Sequence, residues 1–221
     1  MKAFIFDMDG TLLNSEIWIT RSPEIWVQED LGKTISDELM VQLQPKRRTG
    51  RLRLLMAAGL ADGYTEKEAL DCANTVMERL YRTRVEMKPM VRETLEELTG
   101  RGIPCCVATM SRQKTTEDAL EYFGLKKYFL EIRSGAETPV DKRNPSFFLS
   151  MAERLGAAPD EVTVVEDSLY AVKVALACGM HPWGVYDTVE GIHREEMLGL
   201  CEKYFDDFSD LYRAVCDMPG K

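Results

Sequence analysis

The chain has 221 residues, 45% of them apolar and 29% charged. That is the balance of a folded globular protein and excludes wholesale disorder. Lys and Arg number 28 against 37 Asp and Glu, a formal net charge of -9. This disfavours nonspecific nucleic-acid binding but leaves room for a small anion gripped by a few local cations. No apolar run approaches the roughly 20 residues of a membrane span, and the start MKAFIFDMDG lacks the basic, long apolar opening of a signal peptide. A cytoplasmic chain with no membrane or nucleic-acid partner is expected. The six cysteines contain no CxxC pair, and the two histidines, His181 and His193, lie apart from them, so neither a zinc site nor a disulfide framework is expected. Cys105 and Cys106 read as small buried hydrophobes of a strand.

In chain order, the apolar run at residues 3–6 ends against Asp-Gly and reads as a buried strand. Ser15 is a candidate N-cap for a helix carrying Ile17, Trp18, Ile25, Trp26 and Val27, which Pro23 kinks or splits. Helical spacing continues at 36–43, 51–58 and 65–81, the last opened by a capping box of Thr65 and Glu68. After Pro89 the rhythm alternates. Helices are predicted at 91–99, 115–123, 146–155 and 169–178, and strands at 104–109, 128–132, 162–165 and 183–186. A final helix is expected at 210–216. Alternation of this kind predicts a parallel sheet covered on both faces, with an all-helical segment inserted after the first strand.

In such sheets ligands sit beyond the carboxyl ends of the strands. Those ends deliver Asp7 and Asp9, then Thr109 and Ser111, then Lys142 from the following loop, then Glu166 and Asp167. Carboxylates suit a hard divalent cation, and hydroxyls with an ammonium suit phosphoryl oxygens. Read singly, each has a plainer role: Glu166-Asp167 as a helix start, Thr109 as a turn hydroxyl, Lys142 as a surface lysine beside Asp141.

The segments FDMDGTLLNSE, VATMS, Lys142 and VVEDS, in that order, resemble the haloacid dehalogenase-like superfamily of phosphatases and phosphomutases. The likeness is to the branch of β-phosphoglucomutase and phosphoglycolate phosphatase, and it covers essentially the whole chain. It implies a Rossmann-like, doubly wound α/β core at 1–14 and 89–221 and an inserted helical cap at 15–88. It implies Mg²⁺-dependent phosphoryl transfer on a small phosphorylated metabolite. Asp7 resembles the nucleophile that forms an aspartyl-phosphate, and Asp9 the general acid and base. Asp7, the Asp9 carbonyl, Asp167 and the neighbouring Glu166 resemble the metal site, and Thr109, Ser111 and Lys142 the phosphate-binding groups. A phosphatase is the leading reading. A sugar phosphomutase, or a non-catalytic binding protein on the same fold, are the alternatives, and a monomer is expected.

Four departures bear on the substrate rather than the chemistry. Arg143 follows the lysine where the family often has proline. Ala171 replaces a common glycine. Ile19 stands where β-phosphoglucomutases carry a cap histidine. Gln44-Pro45-Lys46-Arg47-Arg48 replaces the cap's glycine-containing loop. Arg47 and Arg48, in the densest basic stretch, are either a solvated helix face or contacts to an anionic substrate.

Overall fold

The computed structural model describes residues 1–219. The chain divides into two compact units: residues 1–14 with 86–221, and residues 15–85. The last two residues of the first unit lie outside the described residues. Among the described residues no helix is long and apolar enough to cross a membrane.

The larger unit is built on a six-stranded sheet. Its strands are β1 (Ala3–Phe6), β2 (Cys105–Thr109), β3 (Phe129–Ser134), β4 (Val162–Glu166), β5 (His181–Val185) and β6 (Lys203–Phe205). The spatial order is β3-β2-β1-β4-β5-β6, and every pairing is parallel. This is the doubly wound α/β architecture expected from the alternation. The order reverses at β1, which pairs β2 through Phe6↔Val107 and β4 through Phe6↔Val165. A crevice at such a reversal is where open parallel sheets bind ligands, and Asp7 is the next residue.

Side chains of β1 alternate between the two sheet faces, as a strand's period of two requires. Ala3 and Ile5 join Val162, Val164, Cys106 and Ala108 in a core roofed by Phe148 and Met151 of α7 (Pro145–Leu155) and Ala171 and Ala175 of α8 (Leu169–Ala177). Phe4 meets the Trp183 ring edge-on at 5.6 Å, and Trp183 meets Phe205 at 5.6 Å. Cys105 and Cys106 are buried, and burial pushes the Cys106 thiol up to about 11, as befits packing groups rather than reactive ones. Three elements between residues 186 and 208 escape the sequence reading: a 3-10 turn at Gly191–His193, α9 (Arg194–Leu200) and β6. The three residues of β6 are too few to display a period.

The remaining helices of the larger unit are α5 (Val91–Gly100), α6 (Gln113–Tyr122) and α10 (Phe208–Cys216), and the smaller unit holds α1 (Glu16–Ile25), α2 (Asp37–Leu43), α3 (Arg48–Ala57) and α4 (Glu66–Thr83). The capping box forms: Thr65 N–H donates to Glu68 Oε2 at 2.8 Å, and Glu68 N–H to Thr65 Oγ1 at 3.3 Å. Pro23 does not split α1. It cannot donate to the Ile19 carbonyl four residues back, and the Ser22 hydroxyl donates there instead at 2.8 Å. The helix then loosens into a π turn over Trp26–Asp30. Ser15 occupies the N-cap position, but its hydroxyl makes no capping bond. Its backbone is already helical (φ -104, ψ -20), not in the extended geometry from which an N-cap side chain reaches the first turn.

Candidate active site

The Asp7 N–H donates to the Val165 carbonyl at 2.9 Å, carrying the β1–β4 ladder one residue past the strand. The chain then turns back on itself. Leu12 and Leu13 N–H groups donate to the Met8 carbonyl at 2.9 and 3.0 Å, and Gly10 N–H to Leu13 O at 2.8 Å. Gly10 has φ 81, in the left-handed region that costs a side-chain-bearing residue about 1–2 kcal/mol. That is why glycine follows the second aspartate. This turn holds Asp7 and Asp9 close together at the sheet's carboxyl edge.

Glu166 closes β4, and Asp167 begins the connection to α8. Lys142 comes from the loop between β3 and α7. That loop is drawn against the end of β2 at Gly135, whose N–H donates to Thr109 O at 2.8 Å. A Cβ at Gly135 would lie 2.9 Å from Met110 Sδ and 3.1 Å from Asp141 Cα, so a side chain there would push on its neighbours and the close approach favours glycine. The Lys142 ammonium donates to Asp7 Oδ1 at 2.6 Å and to Glu166 Oε1. All three side chains are buried, Lys142 and Glu166 with only 1% of their surface exposed. A lysine that alone would read as surface is thus an interior cation between two carboxylates.

One oxygen from each of Asp7, Glu166 and Asp167 lies within 4.8 Å of the other two. Three buried carboxylates face one bonded ammonium, an imbalance a divalent cation would offset. An all-oxygen set suits Mg²⁺ and offers no soft ligand for zinc or copper. The charge balance shows in the protonation tendencies. Burial, with help from Glu166 and Asp9, pushes the Asp7 carboxyl well above the usual range against the pull of Lys142. Burial works against the Lys142 charge, but Asp7 and Glu166 outweigh it and hold the ammonium protonated well beyond the ordinary lysine value.

The Asp9 carboxylate is not among the three. Its Oδ2 accepts a 2.6 Å hydrogen bond from the Ser111 hydroxyl, and the ligand role anticipated for Asp9 concerns its carbonyl. Ser111 therefore touches the second aspartate, a contact its expected phosphate-binding role did not suggest. The Ser111 N–H donates to Thr109 Oγ1 at 3.0 Å, and Ser134 Oγ donates to the Ser111 carbonyl at 2.6 Å, so the loop after β2 is pinned at both ends. Thr109 is fully buried.

Three residues at this edge were missed. Thr11 donates through Oγ1 to Asp167 Oδ1 at 3.1 Å; its place in the DGT triplet was the available signal. Tyr170, the second residue of α8, is partly buried, and that burial pushes its phenol up beside Lys142, Glu166 and Asp7. The Arg143 guanidinium lies 5.4 Å over its ring. Lys88 is the third, a buried lysine whose only sequence cue was the proline after it.

Within the helical unit, Arg48 donates from Nε to Ser22 Oγ at 2.9 Å and from Nη2 to Asn74 Oδ1 at 2.7 Å. Arg51 is buried and paired with the buried Glu24. Arg47 is exposed at the start of α3. The basic stretch is therefore no uniform solvated face, since two of its arginines are committed to internal partners.

The model of a haloacid dehalogenase-like hydrolase matches residues 1–179. The chain belongs to that hydrolase family. It is accordingly an enzyme, and its relatives include a phosphoglycolate phosphatase of Nitrosospira multiformis, 28% identical over 222 residues, covering 98% of this chain and 90% of the relative. A phosphorylated carbohydrates phosphatase of Thermotoga maritima is 28% identical over 197 residues, covering 87% of this chain and 88% of the relative. Fructose-1-phosphate phosphatase YqaB of Escherichia coli is 28% identical over 178 residues, covering 80% and 92%. Among solved structures, CbbY from Rhodobacter sphaeroides in complex with phosphate shares the fold with a TM-score of 0.75 at 20% identity, covering 99% of this chain and 100% of that one.

Proposed function

We propose that this enzyme is a Mg²⁺-dependent phosphatase of small phosphorylated metabolites, with phosphorylated sugars the first class to try. The observation that carries the reading is the buried trio Asp7, Glu166 and Asp167 with Lys142 bonded into it. Relatives named for phosphorylated carbohydrates and fructose 1-phosphate support the substrate class.

Asp7 attacks phosphorus through a carboxylate oxygen. A bond forms to phosphorus, the bond to the leaving oxygen breaks, and an aspartyl-phosphate results. Asp9 gives its proton to the departing alkoxide. It then takes one from the water that attacks the aspartyl-phosphate, releasing inorganic phosphate and restoring Asp7. Ser111 fixes the orientation of the Asp9 carboxylate for both transfers. Lys142 orients Asp7 and, with Thr109, supplies hydrogen bonds to the phosphoryl oxygens. Asp7, Asp167, the Asp9 carbonyl and the adjacent Glu166 would hold Mg²⁺. Bound there, the ion would neutralise the carboxylates and phosphoryl oxygens that otherwise repel each other.

The helical unit, residues 15–85, serves in this reading as the cap, with the exposed Arg47 and the half-buried Arg48 as candidate contacts to an anionic substrate. Ile19 offers no hydrogen bond where a mutase-type cap has a histidine, which favours hydrolysis over isomerisation. The test is a panel of sugar phosphates, phosphoglycolate and an aryl phosphate, assayed with Mg²⁺ and with a chelator. Free phosphate should accumulate only with the metal. Turnover of β-glucose 1-phosphate to glucose 6-phosphate much faster than phosphate release would replace this reading with the mutase, and no turnover of any substrate would favour a binding role.

A further inference from the structure

Lys88 lies where the chain returns from the helical insertion. Its N–H donates to the Leu12 carbonyl at 3.0 Å, and Met87 forms a bridge with Leu13. Pro89 disfavours a helical backbone at Lys88. Its side chain is 6% exposed, and its ammonium donates to the carbonyl of Tyr186, just past the end of β5, at 2.7 Å. Lys88 thereby joins the turn after β1 to the carboxyl edge on the far side of β4.

Burial lowers the Lys88 pKa from the ordinary lysine value, and the carboxylates of Asp167, Asp187, Asp7 and Asp207 oppose that fall. Two of the four belong to the trio described above. Asp187 is itself buried, with Oδ1 accepting from Val189 N–H at 2.7 Å. Asp207 is exposed, and its Oδ1 accepts from Ser209 N–H. A buried ammonium with one carbonyl partner is costly unless its surroundings are negative. Here the surroundings are the edge where the cation would sit.

We infer that Lys88 is a resident counter-cation of this edge. Its charge holds the carboxylates together when no metal is bound and lowers their affinity for a divalent cation. Lys142 balances Asp7 and Glu166 by direct contact, whereas Lys88 acts without contact, toward Asp167. The inference rests on the metal reading above.

Lys88→Gln removes the charge while keeping an N–H donor for the Tyr186 carbonyl, and Lys88→Arg keeps the charge. Mg²⁺ binding to each protein, measured by calorimetry without substrate, tests the idea. Lys88→Gln should bind Mg²⁺ roughly tenfold more tightly than the wild type, because a repelling charge in a low-dielectric setting is gone. Lys88→Arg should bind as the wild type does. In chelator the Lys88→Gln protein should melt below the wild type, and saturating Mg²⁺ should raise its melting temperature by more. Equal or weaker Mg²⁺ affinity in Lys88→Gln, with normal binding by the wild type, overturns this inference alone. Failure of all three proteins to bind Mg²⁺ sinks the metal reading and the inference with it. If Lys88→Gln does not fold in chelator but folds and binds in Mg²⁺, the counter-cation role is supported; if neither condition folds it while Lys88→Met does fold, the Lys88→Met affinity decides by the same criterion.

Discussion

The Lys142 ammonium lies 2.6 Å from Asp7 Oδ1, although 135 positions separate the two residues. The contact joins the turn after the first strand to a loop that follows the third, and it joins a proposed nucleophile to a cation. With Glu166 on its other side, Lys142 has each neighbouring charge assigned. Removing one member of the group should therefore change chemistry and stability in different ways.

Asp7→Asn keeps the size of the side chain and an oxygen that can still accept from Lys142. Turnover of an aryl phosphate should fall by at least about a thousandfold, since an amide is no nucleophile here. The melting temperature should hold or rise, because burial disfavours the Asp7 charge in the metal-free protein. Steady-state rates and a melting curve on the same sample check both halves. Near-normal turnover would remove Asp7 from the mechanism.

The strand ends were legible because the motifs are local. FDMDG holds a buried strand, a left-handed glycine and two carboxylates within a few residues, and VVEDS is equally compact. What stayed hidden is what folding brings together across long separations. Ser111 reaches Asp9 over 102 positions, and Lys88 reaches Tyr186 over 98. No local pattern marks either pairing. The helical insertion was legible from periodicity, but the Glu24–Arg51 pair within it was not. A charged residue on a helix reads as solvent-facing until a second helix covers it.

Thr11→Val should weaken Mg²⁺ binding by about 10- to 100-fold, the usual cost of losing a group that orients a metal ligand. The Thr11 hydroxyl is fully buried and donates to Asp167 Oδ1, and valine matches its shape without the donor. Thr11→Ser should restore most of the affinity. Calorimetric titration of the three proteins decides. Equal affinities would show that Thr11 serves packing only.

Arg51→Met should cost roughly 3–5 kcal/mol, because it leaves the buried Glu24 carboxylate without its cation. The loss should depend on pH, with a definite sign. Burial already raises the Glu24 pKa above its ordinary 4.5, and Arg51 is the chief group opposing that rise. Without Arg51 the folded state binds the Glu24 proton still more tightly than the unfolded chain does. Stability is then greatest at low pH and falls as pH rises from the ordinary glutamate value up to the raised folded one. Denaturant melts at about pH 5 and about pH 7.5 should show a wider gap between wild type and variant at the higher pH. A gap independent of pH would mean that Glu24 has the same protonation in both folded proteins across that range.

Ser111→Ala separates two roles for one hydroxyl. If Ser111 chiefly grips the phosphoryl group, the variant should raise KM and weaken inhibition by inorganic phosphate. The 2.6 Å bond to Asp9 Oδ2 argues for the other role, orientation of the proton-transferring carboxylate. The Ser111 backbone is fixed independently by Thr109 and Ser134, so the substitution should leave the loop in place. The expected result is a fall in kcat of about 10- to 100-fold, a part of the roughly 100- to 10,000-fold that general acid–base catalysis supplies, with phosphate inhibition nearly unchanged. Dependence on the leaving group sharpens the test. A sugar alkoxide needs the Asp9 proton as it departs, whereas an aryl phosphate with an acidic phenol needs it far less. The first chemical step, read as a burst in rapid-quench experiments, should slow more for the sugar phosphate. Equal slowing on both substrates, together with weaker phosphate inhibition, would assign Ser111 to phosphate binding and leave the orientation of Asp9 to other groups.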